Sequence, residues 1–293
     1  MYLEYYGLKE MPFGLTPDPS YIFKTESHLE MLATVRYAIE HNKGLVVVTG
    51  EVGTGKTTTL RAVLQQFTDE VQSVYIFNPF LTSSEFLEQL SAEFELDLPR
   101  TASKPELLSA LGHLLAIRHS KGLRTVLIVD EAHGLPTALL EEIRLLMNFE
   151  TNSEKLLQVI LSGQPELHDV LNRPALRQLK QRISLRCQVQ PLSLFEINKY
   201  IRFRLKQAGA KNVNLFDNGA IGLIGNVSQG IPRVVNNICD NALLYGYAGG
   251  VEIITRDIIQ EVIESLDLQP NNRSHHSSVY DDEASSGSES GRR

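Results

Sequence analysis

The chain has 293 residues, 42% hydrophobic and 22% charged, with no Trp and only two cysteines, Cys187 and Cys239. Such proportions describe one large or two ordinary globular domains, exclude a disulfide framework and a zinc site of cysteines alone, and point to a reducing compartment. The net charge of −7 argues against a surface coated for non-specific nucleic-acid binding, although a local basic patch stays open.

Residues 1–23 carry Tyr5, Tyr6, Phe13, Pro17, Pro19, Tyr21 and Phe23. The prolines forbid a long helix and the aromatics need a surface to pack on, so an ordered strap lying over the next domain is expected. Residues 26–41 have helical periodicity, and Leu45-Val-Val-Val-Thr49 is a continuous apolar run typical of a strand buried on both faces. A helix over 56–67 and a strand over 73–78 follow. Two capping boxes, Thr82 with Glu85 and Ser103 with Glu106, announce the next two helices. Strands are expected at 125–130, 156–161 and 184–189, with a helix at 137–149 between the first two.

Strands alternating with helices predict an α/β fold with a parallel sheet covered on both faces. Beyond Pro191 the chain reads only as helices, at 193–207, 216–227, 232–247 and 256–268. The expected domains are therefore a strap (1–23), a sheet domain (24–191), a helical domain (192–268) and a disordered polar tail (269–293) whose composition cannot offset its ordering entropy. No run reaches the ~18–20 apolar residues of a membrane span. The opening Met1-Tyr-Leu-Glu-Tyr-Tyr-Gly has neither the basic nor the apolar region of a secretory leader, so a cytoplasmic location is expected.

Gly50-Glu51-Val52-Gly53-Thr54-Gly55-Lys56-Thr57-Thr58 contains the G-x-x-x-x-G-K-[ST] pattern between a buried strand and a helix. Its glycines let backbone N–H groups turn inward around a phosphate chain, aided by the positive helix N-terminus. Lys56 would neutralise the β- and γ-phosphates of ATP, and the Thr57 hydroxyl would ligate Mg²⁺. Thr125-Val-Leu-Ile-Val-Asp130-Glu131 ends an apolar strand in two carboxylates. Asp130 would hold Mg²⁺ through water, and Glu131 would take a proton from the attacking water. Asp130-Glu-Ala-His133 also spells a helicase motif, but only about 80 residues expected to be ordered follow the sheet and they read as helices, too few for a second motor domain, so His133 reads as a local polar contact.

Three further positions carry two readings each. Gln164, after the fourth strand, would either reach between the phosphate loop and Glu131 to orient the lytic water or cap the next turn. Arg182 lies in the cluster Arg177, Lys180, Arg182 and Arg186. It is either a finger reaching a neighbouring subunit's nucleotide or part of a solvated basic face, which composition alone favours. Arg233, fixed behind Gly230-Ile-Pro232, would report on a γ-phosphate or simply be an exposed first-turn arginine that the helix dipole mildly disfavours.

The phosphate loop, Val-Asp-Glu-Ala-His, Ser-Gly-Gln-Pro-Glu-Leu, Gln-Arg-Ile and Gly-Ile-Pro-Arg together resemble AAA+ ATPases of the general secretion pathway protein A (ExeA) type. The opening Tyr5-Tyr-Gly-Leu-Lys-Glu-Met-Pro-Phe-Gly-Leu-Thr-Pro-Asp-Pro-Ser20 is similar to that family's first signature. The resemblance covers roughly residues 1–268. It implies Lys56 and Thr57 as Walker A, Asp130 and Glu131 as Walker B, Gln164 as sensor 1, Arg182 as a trans-acting finger and Arg233 as sensor 2. It also implies a helical lid and an ATP-dependent ring, a hexamer for instance, or a helical oligomer. Expected partners are envelope secretion or assembly proteins at the inner membrane. Where secretion-type members continue into a membrane span, this chain has a polar tail. Distant relatives include DNA-binding target selectors of transposition, and that is the alternative function. A nucleotide-gated scaffold with negligible turnover is a third reading, disfavoured by the intact Asp130-Glu131 pair.

Overall fold

The computed structural model describes residues 2–16, 18–67, 70–77, 81–99 and 102–268. The polar tail expected over 269–293 lies outside these residues, as do Pro17 and Asn78.

Five strands, β1 (Leu45–Gly50), β2 (Val71–Ile76), β3 (Arg124–Val129), β4 (Gln158–Gly163) and β5 (Ile183–Val189), form one parallel sheet in the order β2-β3-β4-β1-β5. Strand β1 is flanked on both sides: Val48 pairs with Ser162 of β4 and Cys187 of β5. The alternation along β1 divides its side chains between two cores. Leu45 and Val47 face a large cluster with Leu127, Val129, Val159 and Leu161. Helices α4 (Ser83–Glu93), α5 (Lys104–Ser120) and α6 (Thr137–Leu146) cover that face, joined by the short α7 (Leu167–Leu171) and α8 (Arg177–Gln181). Val46 and Val48 face a second cluster built with Met31, Val35 and Ile39 of α2 (Glu26–Glu40) and with Leu60 and Val63 of α3 (Lys56–Leu64). A sheet covered on both faces explains why β1, β3 and β4 are apolar runs rather than alternating ones. Thr82 and Ser103 are N-caps in capping boxes, and Ser193 caps the helix after β5 in the same way.

The third core belongs to α9 (Leu194–Gln207), α10 (Asn218–Ser228), α11 (Pro232–Ala248) and α12 (Arg256–Ser265). It also takes in Tyr2, Tyr6, Leu8 and Phe13. The N-terminal strap, which begins with the single turn α1 (Tyr2–Tyr5), docks its first half on the helical region, while the later turn at Pro19–Tyr21 lies against α3 of the domain that follows it in sequence. The Tyr2 hydroxyl donates to Asp240 Oδ1 (2.7 Å), the Tyr6 hydroxyl to the Val251 carbonyl (2.8 Å), and the Lys9 amide to the Ala208 carbonyl (2.8 Å). Helical packing leaves those acceptors free at the surface of α9 and α11, and the tyrosines bury their rings while satisfying them.

Candidate nucleotide-binding site

The phosphate loop joins β1 to α3 at the carboxyl end of the sheet, where parallel α/β sheets place their ligands. Gly53 and Gly55 adopt φ of +81° and +98°, which only glycine reaches without strain. The buried Thr54 hydroxyl donates to the Glu51 carbonyl (2.8 Å) and tightens the turn. Lys56 reaches back across the loop and donates to the carbonyls of Gly50 (2.7 Å) and Glu51 (3.1 Å). Burial holds its ammonium below the ordinary lysine range, and Glu131, Asp130 and Glu51 oppose that shift.

Asp130 follows β3 and is buried. Its Oδ2 accepts from the Thr57 hydroxyl at 2.7 Å, and its Oδ1 accepts from the Glu131 amide at 3.0 Å. Glu131 sits in the left-handed region at φ +51°, a conformation that costs a non-glycine residue about 1–2 kcal/mol. It turns the chain sharply off the strand, and Glu131 lines the same cavity as Lys56 and Thr57.

That cavity, about 410 Å³, runs from the phosphate loop (Val52 to Thr59) to a wall made by the strap and the helical region. Leu15, Tyr21, Ile22, Phe23, Leu192 and Tyr200 also line it, so charged groups and backbone amides share the cavity with aromatic and aliphatic side chains. Arg233, in the first turn of α11, is exposed and lines the cavity, and its amide donates to the Gly53 carbonyl at 3.3 Å.

Gln164 and Arg182 are not among the cavity-lining residues. Gln164 does not reach between the loop and Glu131, because its amide is engaged with His133 Nε2 at 2.9 Å. The Gln164 backbone N–H donates to His133 Nδ1 at 3.4 Å, and the same Nδ1 lies 3.5 Å from Glu131 Oε2. Glu131, His133 and Gln164 therefore form a chain of polar contacts at the ends of β3 and β4. Arg182, at the C-terminal end of α8, has an acceptor in its own subunit, the Arg144 carbonyl at 3.4 Å, and forms no ion pair among the described residues. Arg177 and Lys180 are exposed, and Arg186 on the edge strand donates to His168 Nδ1 at 3.2 Å.

Two features escaped the sequence reading. His28 of α2 is buried under the loop. Its Nε2–H donates to the Thr54 carbonyl (3.0 Å), while Nδ1 takes the Thr25 hydroxyl (2.6 Å). Burial holds its pKa below 6.5. Arg204 is buried in α9 and lines the cavity. Its signal was present: it falls on the apolar stripe of Ile197, Tyr200, Ile201 and Leu205, where an arginine needs a special reason. His28 left no such mark, since only the folded loop brings Thr54 to it.

Residues 39–171 match the family described as "AAA domain". The chain thus contains an AAA domain with the P-loop fold, an α/β sheet followed by an all-α region. Among solved structures it is similar to Cdc6p of Pyrobaculum aerophilum (TM-score 0.70, 17% identity, 87% of this chain and 70% of that one). It is also similar to the ORC2 protein of Aeropyrum pernix in ADPNP and ADP complexes (TM-score 0.64, 14% identity, 87% and 71%). Those likenesses concern the fold. Sequence identity is far higher, 43% over 259 residues, to "General secretion pathway protein A" of Aeromonas hydrophila, spanning 88% of this chain and 47% of that protein. The chain is similar to that protein and covers about half of its length.

Proposed function

We propose that the chain binds ATP with its phosphates on the 50–58 loop and its base against the strap, and hydrolyses it with Mg²⁺. One observation carries this reading: Thr57, which lines the cavity with Lys56 and Glu131, donates its hydroxyl to the buried Asp130 carboxylate at 2.7 Å. A neutral hydroxyl and a single carboxylate are hard oxygen donors suited to Mg²⁺, which takes its other ligands from water and phosphate. Among the described residues no cluster of three or more His, Cys, Asp or Glu offers a larger metal site. When bound, Mg²⁺ would neutralise phosphate charge.

The side chains do the rest. Lys56 exchanges its loop carbonyls for phosphate oxygens, and Glu131 accepts a proton from the attacking water. His133 steadies the Glu131 carboxylate, and Gln164 steadies His133. Arg233, presented by the first turn of α11, reports on the γ-phosphate as sensor 2. Arg182 completes a neighbour's site, so turnover belongs to an oligomer, ring or helical.

The output we infer is assembly of an envelope secretion or surface-structure system, as the name of the 43%-identical relative suggests. No helix among the described residues is long and apolar enough to cross a membrane. The working location is the cytoplasm, against the inner membrane. A DNA-directed recombination role is the second reading, favoured by the exposed Arg173, Arg177 and Lys180 on one stretch of surface.

The deciding experiment is the Mg²⁺-ATPase rate against protein concentration, with and without duplex DNA. Rising specific activity that DNA leaves unchanged supports the assembly motor. Strong, salt-sensitive stimulation by DNA replaces it with the second reading. A flat, DNA-independent profile over a hundredfold range refutes the shared site.

A further inference from the structure

Arg204 is a buried cation, 7% exposed, that forms no ion pair among the described residues. An unpaired buried charge is expensive unless dipoles compensate it. Here the compensation comes from the strap. Nε donates to the Pro12 carbonyl (2.5 Å), Nη2 to the Gly14 carbonyl (3.3 Å) and Nη1 to the Tyr200 hydroxyl (2.8 Å). The guanidinium carbon lies 4.7 Å from the centre of the Tyr21 ring and 5.6 Å from that of Tyr200. Tyr200 in turn donates to Asn236 Oδ1 at 2.8 Å and meets Phe23 edge-on at 5.7 Å.

Gly14, Tyr21, Phe23, Tyr200 and Arg204 all line the same cavity as the phosphate loop. Arg204, together with Gln207, whose amide donates to the Ser20 carbonyl (2.8 Å), thus ties the strap to α9 where it becomes a wall of that cavity. Hydrophobic packing alone would dock Phe13 but would leave the course of the chain past Gly14 open. The two carbonyl contacts and the ring stack define it.

We propose that Arg204 is a positioning residue for the nucleoside end of the bound nucleotide: it draws the strap onto α9 and so builds the wall on which the base packs. The proposal rests on the ATP-binding reading above. It makes nucleotide affinity separable into a phosphate part that Arg204 does not touch and a base part that it controls.

The test is calorimetric titration of the full chain with ADP and, separately, with inorganic tripolyphosphate, which has phosphates and no base. Arg204→Lys keeps the charge but cannot span both carbonyls. Tyr21→Ala removes the stacked ring from a half-exposed position and serves where Arg204→Lys melts early. Loss of a cation–ring contact of this kind corresponds to about tenfold in binding. ADP affinity should fall about tenfold in each variant while tripolyphosphate affinity stays within twofold. Unchanged ADP affinity in both variants overturns the proposal, because Arg204 is then only an anchor of the fold. Equal losses for ADP and tripolyphosphate overturn it too. A wild-type chain that binds neither ligand overturns the nucleotide reading itself, a result distinct from both.

Discussion

Gly53→Ala tests the joint between the helical region and the phosphate loop. Gly53 has φ +81°, and a Cβ there would lie 2.6 Å from Arg233 Cβ and 3.2 Å from Ile231 Cγ2. Arg233 Cβ is fixed at the root of α11 and cannot swing aside, so the helix start or the loop has to move. Holding alanine in the left-handed region costs about 1–2 kcal/mol. Losing the Arg233 amide to Gly53 carbonyl bond costs about 1 kcal/mol. Alanine recovers about 0.4–1 kcal/mol by stiffening the unfolded chain. The net is about 2 kcal/mol before any steric displacement, or about thirtyfold in an equilibrium constant. If the variant keeps the closed arrangement, the cost appears as lost stability. If the loop relaxes, the cost reappears when nucleotide restores it. Chemical denaturation of the free chain and calorimetry with ADP therefore have to be combined, and their summed losses should reach about 2 kcal/mol. ADP avoids turnover and any γ-phosphate contact of Arg233. Gly53→Ala combined with Arg233→Gly removes the colliding Cβ and should return the hydrogen-bond share, a coupling of about 1 kcal/mol. A summed loss near zero, or no coupling, would refute a loop held by α11.

Three further outcomes are expected. Glu131→Gln should bind ATP within about twofold of wild type while turnover falls about 10²–10⁴-fold; near-normal single-turnover hydrolysis would remove Glu131 as the base. Arg182→Ala and Glu131→Gln should each be inactive alone yet regain part of the rate when mixed, since Arg182 of one chain then serves the intact Glu131 of the other, and no regain would locate the whole site in one chain. His28 has a folded pKa held below 6.5 by burial, so the unfolded chain binds the proton first as pH falls. Its contribution to stability is present above 6.5 and is lost as pH drops through that value toward the folded pKa. The shifted carboxylates Glu40, Glu85 and Glu106 are lowered from 4.5 and act only below that. Melting between these two values should therefore be steeper for wild type than for His28→Gln, whose amide can still donate to Thr54; parallel curves would mean that His28 is not held neutral.

The sheet was legible because its strands are buried on both faces and read as apolar runs whatever their neighbours. Their ends were less so. The fourth strand, expected over 156–161, runs Gln158–Gly163 because Val48 and Thr49 of β1 supply partners for Ser162 and Gly163. Pairing across the sheet overrides the polar look of those two residues. α7 and α8, five residues each, are too short to show a period and went unread. The phosphate loop is a local motif and was visible residue by residue. The strap was visible only as a need: its aromatics demanded a surface, and the surface that accepts Tyr2 lies 238 positions away at Asp240. Arg204 and His28 belong to the same class of miss, since their partners are backbone carbonyls brought to them by folding.

The two ends of the strap are tied to different bodies, and this shapes what nucleotide turnover can do. Upstream, Tyr2, Lys9 and the carbonyls of Pro12 and Gly14 are bound to the helical region. Downstream, Thr25 and His28 are bound to each other and, through Thr54, to the phosphate loop. The helical region also touches the loop directly, at Arg233 and Gly53. A bound nucleotide would therefore be enclosed by a closed circuit of loop, strap and helices. Any shift of the helices against the loop, whether on binding or on loss of the γ-phosphate, has to be absorbed between Gly14 and Thr25 or has to break an anchor. Leu15, Thr16 and Asp18 in that interval are exposed, whereas Tyr2, Thr25 and His28 at its anchors are buried. Ser20, Tyr21 and Phe23 in the same interval are held by Gln207, Arg204, Tyr200 and Phe203 of α9, so the proposed base wall moves with the helices. Base contacts and lid position are coupled through the same ten residues of backbone, so a ligand that fixes one fixes the other.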